Sequence, residues 1–390
     1  MEKIKTAVIG CGKVGHFHAR AFQACPESEL VACLGRDMKK TEEFAAIYGI
    51  RAFTDLETMV RETGVQAVSI CTPHPNHADI AVRCCELGLH IAIEKPLAAS
   101  LEDCDAIIEA AKKNNVVGTT ICQRRFYKPA QRVKKAIDDG KLGKPILGTV
   151  NMLGWRDMAY YQSDPWRGTW KGEGGGVLFN QCPHQLDLLQ WVTGMMPKRI
   201  HAFCHYGKWH DIEVEDDVTA YLEYENGATG VFITSTADAP GTNRFEVLGT
   251  KGKIVCEVGK VNQQFRFYKL KIEEREFNRT CTAGFGSPEW ECIEIETDGK
   301  NPQHVGILNN FSNAILGIEP LFVDGKEGLR GVELMDGMQL SGWLGKAVEL
   351  PLDDDLYLEE LNKRIATGRT KNGCDRVLDT DGTYGTTAKA

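Results

Sequence analysis

A glycine-rich turn between a strand and a helix near the start of the chain most constrains the fold. Residues 4–9 are apolar and predict a strand, and Gly10, Gly12 and Gly15 follow at once in the spacing Gly-x-Gly-x-x-Gly. A helical pattern and a second apolar strand at 29–34 come next. The alternative is a flexible glycine loop, but a strand, turn, helix and strand of this length are typical of dinucleotide binding.

The alternation of strands and helices then continues. Apolar runs at 65–71, 90–94 and 116–121 predict strands, separated by predicted helices over 76–87 and 101–113. This order predicts an α/β fold with a doubly wound parallel sheet. Glycine or polar residues end the predicted strands, namely Gly10, Gly35, Thr72, Glu94 and Gln123. Ligands bind at this carboxyl edge of such sheets, so the site is expected there.

The rest of the chain predicts a second α/β domain with a large, mostly antiparallel open sheet. Strands over 145–155 and a hairpin that turns at Asn226-Gly227 lead into it, and helices over 304–316 and 327–343 cover it. An open sheet commonly offers one face for contact between copies, so a homo-oligomer, dimer or tetramer, is expected. The predicted divisions are a Rossmann domain at 1–123, a substrate-binding and oligomerisation domain at 124–366 and a tail at 367–390.

Composition narrows the class of partner. A formal charge of -8 and 26% charged residues give no basic surface for nucleic acid or an anionic membrane. No leader sequence or membrane span is recognised, so a cytoplasmic enzyme is expected. The 14 cysteines are scattered through apolar segments and predict reduced thiols. Histidines 201, 205 and 210, with Cys204 and Asp211, fit no standard zinc spacing, and no metal is predicted.

The segment from Glu173 to Asp187 places polar side chains in an apolar helical pattern. Asn180 and His184 are four residues apart, which predicts that they share a helix face. His184 titrates near neutral pH and is a candidate general acid/base. The alternative is a capped helix start with a buried, satisfied histidine, and Asp187 one turn later is a candidate partner for the ring.

Two further motifs support a catalytic site. Lys95 lies in Glu94-Lys95-Pro96, where a predicted strand meets the binding edge, and a lysine there can stabilise negative charge on a substrate oxygen. The alternative is a surface lysine before a turn. The loop at 160–170 concentrates aromatic and polar groups that suit a sugar or polyol, although a loop folded over its own apolar cluster is also compatible.

These motifs together resemble the Gfo/Idh/MocA family of nicotinamide-dependent sugar and polyol oxidoreductases. The resemblance covers almost all of the chain except the tail. It rests on Gly10-x-Gly12-x-x-Gly15, Thr72-Pro73 with His77, Glu94-Lys95-Pro96, and Gly174-Gly-Gly-x-x-x-Asn180-x-x-x-His184-x-x-Asp187.

The resemblance implies residue roles as well as a fold. Lys95 would orient the reacting oxygen, His184 would exchange the proton, and Asn180 would assist them. The residues implied to hold NAD(H) or NADP(H) are Gly10, Gly12, Lys13, Val14, Gly15, Arg36, Asp37, Thr72, Pro73, His77, Glu94, Lys95, Gln123, Trp166 and Arg167. The residues implied to contact a sugar, glycoside or polyol are Lys95, Tyr160, Trp166, Arg167, Thr169, Asn180, Gln181 and His184.

Two departures from the family pattern leave alternatives open. Many members have aspartate where this chain has Asn180, and an amide can position a hydroxyl but cannot relay a proton. NAD-specific members often have an acidic residue at the position of Gly35, whereas Arg36 would make room for a 2′-phosphate and Asp37 could still reach a ribose. The alternatives to a dehydrogenase are a glycosidase that uses NAD transiently and a non-catalytic sensor of sugar or cofactor on the same fold.

Overall fold

The computed structural model describes residues 3–258 and 263–369. Its first layer is a six-stranded parallel sheet in the order β3-β2-β1-β4-β5-β6. The strands are β1 (Ile4–Ile9), β2 (Ser28–Leu34), β3 (Arg51–Phe53), β4 (Ala67–Ile70), β5 (His90–Ile93) and β6 (Gly118–Thr120). The helices between them are α1 (Lys13–Ala24), α2 (Met38–Tyr48), α3 (Leu56–Thr63), α4 (His77–Glu86) and α5 (Leu101–Lys113). The predicted doubly wound sheet is therefore confirmed.

A second, nine-stranded sheet has the order β14-β13-β12-β11-β7-β10-β9-β8-β15. Only the β7–β10 pair is parallel among its described neighbours, as expected for a mostly antiparallel sheet. Its strands are β7 (Pro145–Trp155), β8 (Arg199–Tyr206), β9 (Glu215–Glu223), β10 (Thr229–Ser235), β11 (Ala237–Gly249), β12 (Gly252–Val258), β13 (Gln263–Leu270), β14 (Trp290–Glu294) and β15 (Val348–Glu349). The predicted hairpin is β9 and β10, joined through Gly227 at a φ of 82°.

Helices cover one face of this sheet and link it to the first layer. They are α6 (Lys128–Asp138), α7 (Met158–Gln162), α8 (Trp170–Glu173), α9 (Val177–Asn180), α10 (Pro183–Thr193), α11 (Glu274–Thr280), α12 (Gln303–Ile315), α13 (Glu327–Leu344) and α14 (Asp354–Thr367). Helix α13 contacts both β8 and α5. The predicted domain boundary at 123 stays a prediction, and it falls where a short 3-10 turn, Gln123–Phe126, follows β6.

Helix α12 packs on the first layer although it comes late in the chain. Ile307, Leu308 and Phe311 are buried in the same apolar cluster as Val8 and Phe22 of the parallel sheet layer. The N-terminal layer is therefore completed by a segment from the C-terminal third.

Several elements differ from the sequence-based expectation. Helices α2 and α3 were not predicted, although each begins at a capping aspartate, Asp37 or Asp55, and each ends at a left-handed glycine. The predicted tail from residue 370 onward lies outside the described residues.

Thirteen cysteines lie in the described part of the chain; all are free thiols, and seven are buried. The expectation of reduced, mostly buried thiols is confirmed for these residues. In the same part of the chain, no helix combines the length and the apolar character needed to cross a bilayer.

Candidate active site

The turn after β1 brings backbone segments into close contact. Gly10 has a φ of 105°, which side-chain-bearing residues rarely adopt, and a Cβ there would lie 2.8 Å from the carbonyl carbon of Cys71. A Cβ on Gly15 would lie 2.2 Å from the oxygen of Gly10. In contrast, a Cβ on Gly12 would meet no atom within 4 Å, so Gly12 borders open space.

Helix α1 begins beside that space without a capping side chain. Gly12 is the N-cap residue, and no side chain bonds to the N–H groups of the first turn. Free N–H groups at a helix start favour phosphate. Val14 is half-buried in this turn, and Lys13 is exposed beside it. Partial burial lowers the pKa of Lys13, and the nearby charge of Asp164 opposes this shift.

The turn after β2 carries Arg36 and Asp37. A Cβ on the preceding Gly35 would lie 2.2 Å from the hydroxyl oxygen of Thr41, so packing excludes an acidic side chain at that position. Asp37 Oδ1 accepts a hydrogen bond from Lys40 N at 3.1 Å and caps α2. Arg36 is exposed beside the cleft edge where dinucleotide folds hold a ribose.

The loop after β4 contains Thr72, Pro73 and His74. His77 is fully buried behind it, with Nε2 at 2.9 Å from Thr72 O and Nδ1 at 3.0 Å from Pro96 O. It therefore joins two loops and has no free ring nitrogen for a cofactor. Thr72 Oγ1 and His74 Nδ1 are buried, and neither has a hydrogen-bond partner within the described ranges. Such atoms suit contact with a bound ligand.

Glu94 follows β5 and lies at the centre of a buried cluster. Its Oε1 accepts hydrogen bonds from His18 Nε2 at 2.8 Å and His304 Nε2 at 3.2 Å, and Lys95 N donates to Oε2 at 3.0 Å. Burial acts to raise the pKa of Glu94, but hydrogen bonds from the two imidazoles outweigh it and hold the pKa well below its usual range. Glu94 therefore fixes the backbone from which Lys95 projects.

His18, Glu94 and His304 are also the one group of three potential metal ligands in the described part of the chain. Two imidazoles and a carboxylate are a donor set that zinc accepts. Here hydrogen bonds already account for the arrangement. His201, His205 and His210 belong to no such group in the described residues. The ring nitrogen Nε2 of His210 lies 2.8 Å from the backbone oxygen of Arg156.

Lys95 is half-buried at the carboxyl edge of the parallel sheet. Its Nζ donates a hydrogen bond to Asn180 O at 3.1 Å, which leaves two N–H donors. Burial lowers the pKa of Lys95, and the negative charge of Glu94 opposes that shift.

Asn180 and His184 do not share a helix, which corrects the prediction from their spacing. Asn180 is the last residue of α9, and His184 is the second residue of α10. Gln181 and Cys182 form the turn between the two helices, and Pro183 starts α10. Because α9 has a single turn, the four-residue spacing does not continue on one axis.

His184 is half-buried and contacts the end of the parallel sheet. Gln123 Nε2 lies 3.3 Å from His184 Nε2, and because the amide nitrogen donates, the ring nitrogen accepts. Burial lowers the pKa of His184 well below its ordinary value, and the nearby cations Arg124 and Lys95 lower it further. The imidazole is therefore held neutral next to Lys95.

Asp187 contacts Arg125 and has no bond to His184. Nε and Nη2 of the fully buried Arg125 lie 3.0 Å and 2.5 Å from the Asp187 carboxylate, and Glu327 pairs with Nη1. Asp187 therefore anchors α10 to the segment that follows β6.

The aromatic loop forms a linked group beside these residues. The Arg167 guanidinium lies 4.4 Å from the ring centres of both Tyr160 and Trp166. Tyr160 Oη accepts hydrogen bonds from Arg167 Nη1 at 2.6 Å and Gln181 Nε2 at 2.9 Å. Thr169 Oγ1 accepts from Gly172 N at 3.1 Å and caps α8, so its hydroxyl is engaged within the loop.

These residues fit a nicotinamide dinucleotide. The glycine turn leaves room at Gly12, the start of α1 offers free N–H groups, and Thr72 Oγ1 is a buried hydroxyl without a partner in the described structure. Gly10, Gly12, Lys13 and Val14 would hold the pyrophosphate, and Thr72 and Pro73 would border the ribose.

Comparison with family models decides the relationship. The model described as an oxidoreductase family with an NAD-binding Rossmann fold matches residues 4–121, and the model of the GFO/IDH/MocA C-terminal domain matches residues 130–255. The chain belongs to the Gfo/Idh/MocA family. It is accordingly an NAD(P)-dependent oxidoreductase, as the sequence motifs predicted.

Individual relatives agree with this membership. Myo-inositol 2-dehydrogenase of Thermotoga maritima is 27% identical over 65% of this chain and 75% of its own length. Levoglucosan dehydrogenase of Pseudarthrobacter phenanthrenivorans is 26% identical over 83% of this chain and 93% of its own. The WlbA dehydrogenase of Bordetella pertussis, solved with NADH and UDP-GlcNAcA, is 28% identical, covers 90% of this chain and 100% of its own, and has a TM-score of 0.77.

Sequence reasoning missed four residues of the site, namely His74, Arg124, Glu173 and His304. Arg124 and Glu173 were each one residue from a predicted functional residue or motif. His304 reaches Glu94 across 210 positions of sequence, so no local signal identified it.

Proposed function

We propose that this enzyme transfers a hydride between NAD(P) and a ring hydroxyl or ketone of a sugar, glycoside or polyol. One observation carries the proposal: Lys95 and His184 lie near each other at the carboxyl edge of the parallel sheet, where burial and then the cations Arg124 and Lys95 lower the pKa of the imidazole. The named activities of the relatives on inositol and levoglucosan support the substrate class.

In the oxidation direction, the two free N–H donors of Lys95 hold the substrate oxygen and stabilise negative charge on it. His184 Nε2, whose contact with Gln123 is long at 3.3 Å, accepts the hydroxyl proton. The bound nicotinamide supplies the hydride acceptor, or the donor in the reverse direction. In reduction, His184 returns the proton to the new hydroxyl.

The substrate is proposed to lie between this pair and the aromatic loop. Trp166 and Arg167 form the mouth of the site, and Gln181 links Tyr160 to the turn after Asn180. Apolar ring faces next to hydrogen-bonding groups suit the C–H faces and hydroxyls of a sugar. We also propose a cytoplasmic location and assembly as a homo-oligomer, with no nucleic-acid or membrane partner.

The test is a screen of sugars, inositols, glycosides and keto-sugars as substrates, with NAD and with NADP. The change in nicotinamide absorbance measures turnover. We expect Lys95→Ala to lower kcat/KM by roughly 10²- to 10³-fold and His184→Ala by roughly 10²- to 10⁴-fold. Lys113→Ala, an exposed lysine of α5, is the matched control. Tight cofactor binding without turnover of any member of the panel would contradict the proposal. Glycoside cleavage without net cofactor reduction would favour the transient-oxidation alternative.

A further inference from the structure

The carboxylate of Glu173 is buried directly against Asn180. Glu173 ends α8 and is 1% exposed. Its Oε1 accepts a hydrogen bond from Asn180 Nδ2, and its Oε2 accepts one from Gly168 N at 2.6 Å. Burial raises the pKa of Glu173, but Arg167 and Lys95 are cations close enough to oppose that shift. Donors on both oxygens match the ionised form.

This contact determines how the amide of Asn180 is oriented. An ionised carboxylate only accepts hydrogen bonds, so Asn180 must turn its Nδ2 toward Glu173. The amide oxygen then points to the opposite side, and no described residue donates to it. The backbone oxygen of the same residue accepts from Lys95 Nζ at 3.1 Å. Asn180 therefore offers one side-chain acceptor, Oδ1, on a residue whose backbone oxygen bonds to the ammonium of Lys95.

We propose that Glu173 is a positioning residue that locks the Asn180 amide so that Oδ1 accepts a hydrogen bond from a substrate hydroxyl adjacent to the oxygen held by Lys95. The inference rests on the proposed dehydrogenase function and deepens it. The substrate then carries two neighbouring oxygens, one at Lys95 and one hydroxyl at Asn180. Glu173 also supplies the negative charge that the amide lacks, in a site that contains the cations Lys95, Arg124 and Arg167.

A purely structural role for Glu173 makes a different prediction. The carboxylate also accepts a hydrogen bond from Gly168 N and so holds the aromatic loop. If this were its only role, loss of the bond would lower activity equally in the single and the double variant of Glu173. Exchange of the carboxylate and the amide between positions 173 and 180 separates the positioning role from the purely structural one. In the double variant Glu173→Gln with Asn180→Asp, the Gln amide donates to the new carboxylate, which keeps one oxygen for the substrate.

The experiment measures kcat, KM and their pH dependence for both single variants and the exchanged double variant. Glu173→Gln should lower kcat/KM roughly 10- to 100-fold, because its amide can donate or accept and no longer orients Asn180. Asn180→Asp should place two carboxyls in contact, lower kcat and add a new ionisation to the pH profile. The double variant should recover most of kcat/KM, which a double-mutant cycle reports as strong coupling.

Glu215→Gln is the matched control. Glu215, the first residue of β9, is a second buried carboxylate, and its Oε1 accepts a hydrogen bond from Gly176 N at 2.8 Å. Asn180→Asp should not rescue it. Cofactor affinity should be unchanged in every variant, because none of the exchanged atoms borders the glycine turn.

A substrate analogue without the neighbouring hydroxyl tests the proposal even if Glu173 variants fail to fold. It should react poorly with the wild type, and Asn180→Ala should cost no further activity on it. Wild-type kinetics in Glu173→Gln, absence of rescue in the folded double variant, or full activity on the deoxy analogue would overturn the inference. If Lys95→Ala abolishes turnover while Glu173→Gln keeps the wild-type kcat/KM, the inference fails and the proposed function stands. A wild type inactive on the whole panel refutes both.

Discussion

Burial and two nearby cations lower the proton affinity of His184. Besides burial, the charges of Arg124 and Lys95 lower its pKa. The guanidinium of Arg124 makes no hydrogen bond to any described side chain or backbone atom, so its charge acts on the site without a neutralising partner. A neutral histidine accepts a proton down to the pH at which it becomes charged, which favours alcohol oxidation over a wide range.

Arg124→Gln should move the acid limb of the oxidation profile to higher pH. In this direction His184 must be neutral, so activity is present above its pKa and is lost as the pH falls through it. Removal of the cation raises that pKa. The measurement is kcat/KM against pH, and Arg124→Lys, which keeps the charge, is the control. An acid limb at the same pH in both variants would contradict the assignment.

Glu215→Gln should flatten the dependence of thermal stability on pH. Burial raises the pKa of Glu215 to about 7, from the ordinary value of 4.5 that a glutamate has in an unfolded chain. Its contribution to stability is therefore fully present below the unfolded pKa and is lost as the pH rises through about 7. The midpoint of thermal unfolding should fall between pH 4 and pH 8 (roughly the interval that brackets both values) more in the wild type than in the variant. Glu109→Gln on the exposed face of α5 should behave like the wild type.

At the level of helices and strands, the sequence predicted an element correctly where its boundary requires one particular residue type. Gly10 and Gly15 after β1 mark this turn because a side chain at either position would be strained or would clash. It failed at Asn180, because a one-turn helix leaves no periodic pattern. Glu173 lies one residue before the glycine motif, and its burial against Asn180 depends on how two short helices pack.

The ion pair between Asp187 and Arg125 holds α10 in place. Asp187→Asn should destabilise the protein by about 3 kcal/mol, because the fully buried Arg125 would keep Glu327 but lose its buried partner. Chemical unfolding measures the effect. Asp139→Asn, which removes an exposed ion pair with Lys135, should destabilise the protein much less. Equal losses in the two variants would show that the Arg125 pair does not anchor α10.

The whole molecule leaves the outer face of its larger sheet uncovered. Large apolar side chains from four strands are exposed there, namely Leu147, Phe203, Tyr221 and Trp290. Phe203 is 60% exposed and Tyr221 is 43% exposed. Apolar patches of this kind commonly mark protein contacts, which supports the proposed association of copies through the open sheet.

Phe203→Lys combined with Tyr221→Lys should reduce the oligomer to a smaller species. Two charges on the proposed interface oppose burial of that face. Light scattering after size-exclusion chromatography measures the mass. Phe285→Lys, at a fully exposed aromatic residue away from the strands, is the control. A wild type that is already a monomer would refute the interface.

The return of α12 to the first layer bears on recombination between relatives. Its apolar face packs on α1, and His304 at its start bonds to Glu94 beside Lys95. A chimera that exchanges only the first 123 residues would pair one parent's nucleotide half with the other parent's α12. We expect functional crossovers to carry residues 303–315 together with the N-terminal segment, so that the inherited unit is discontinuous in sequence.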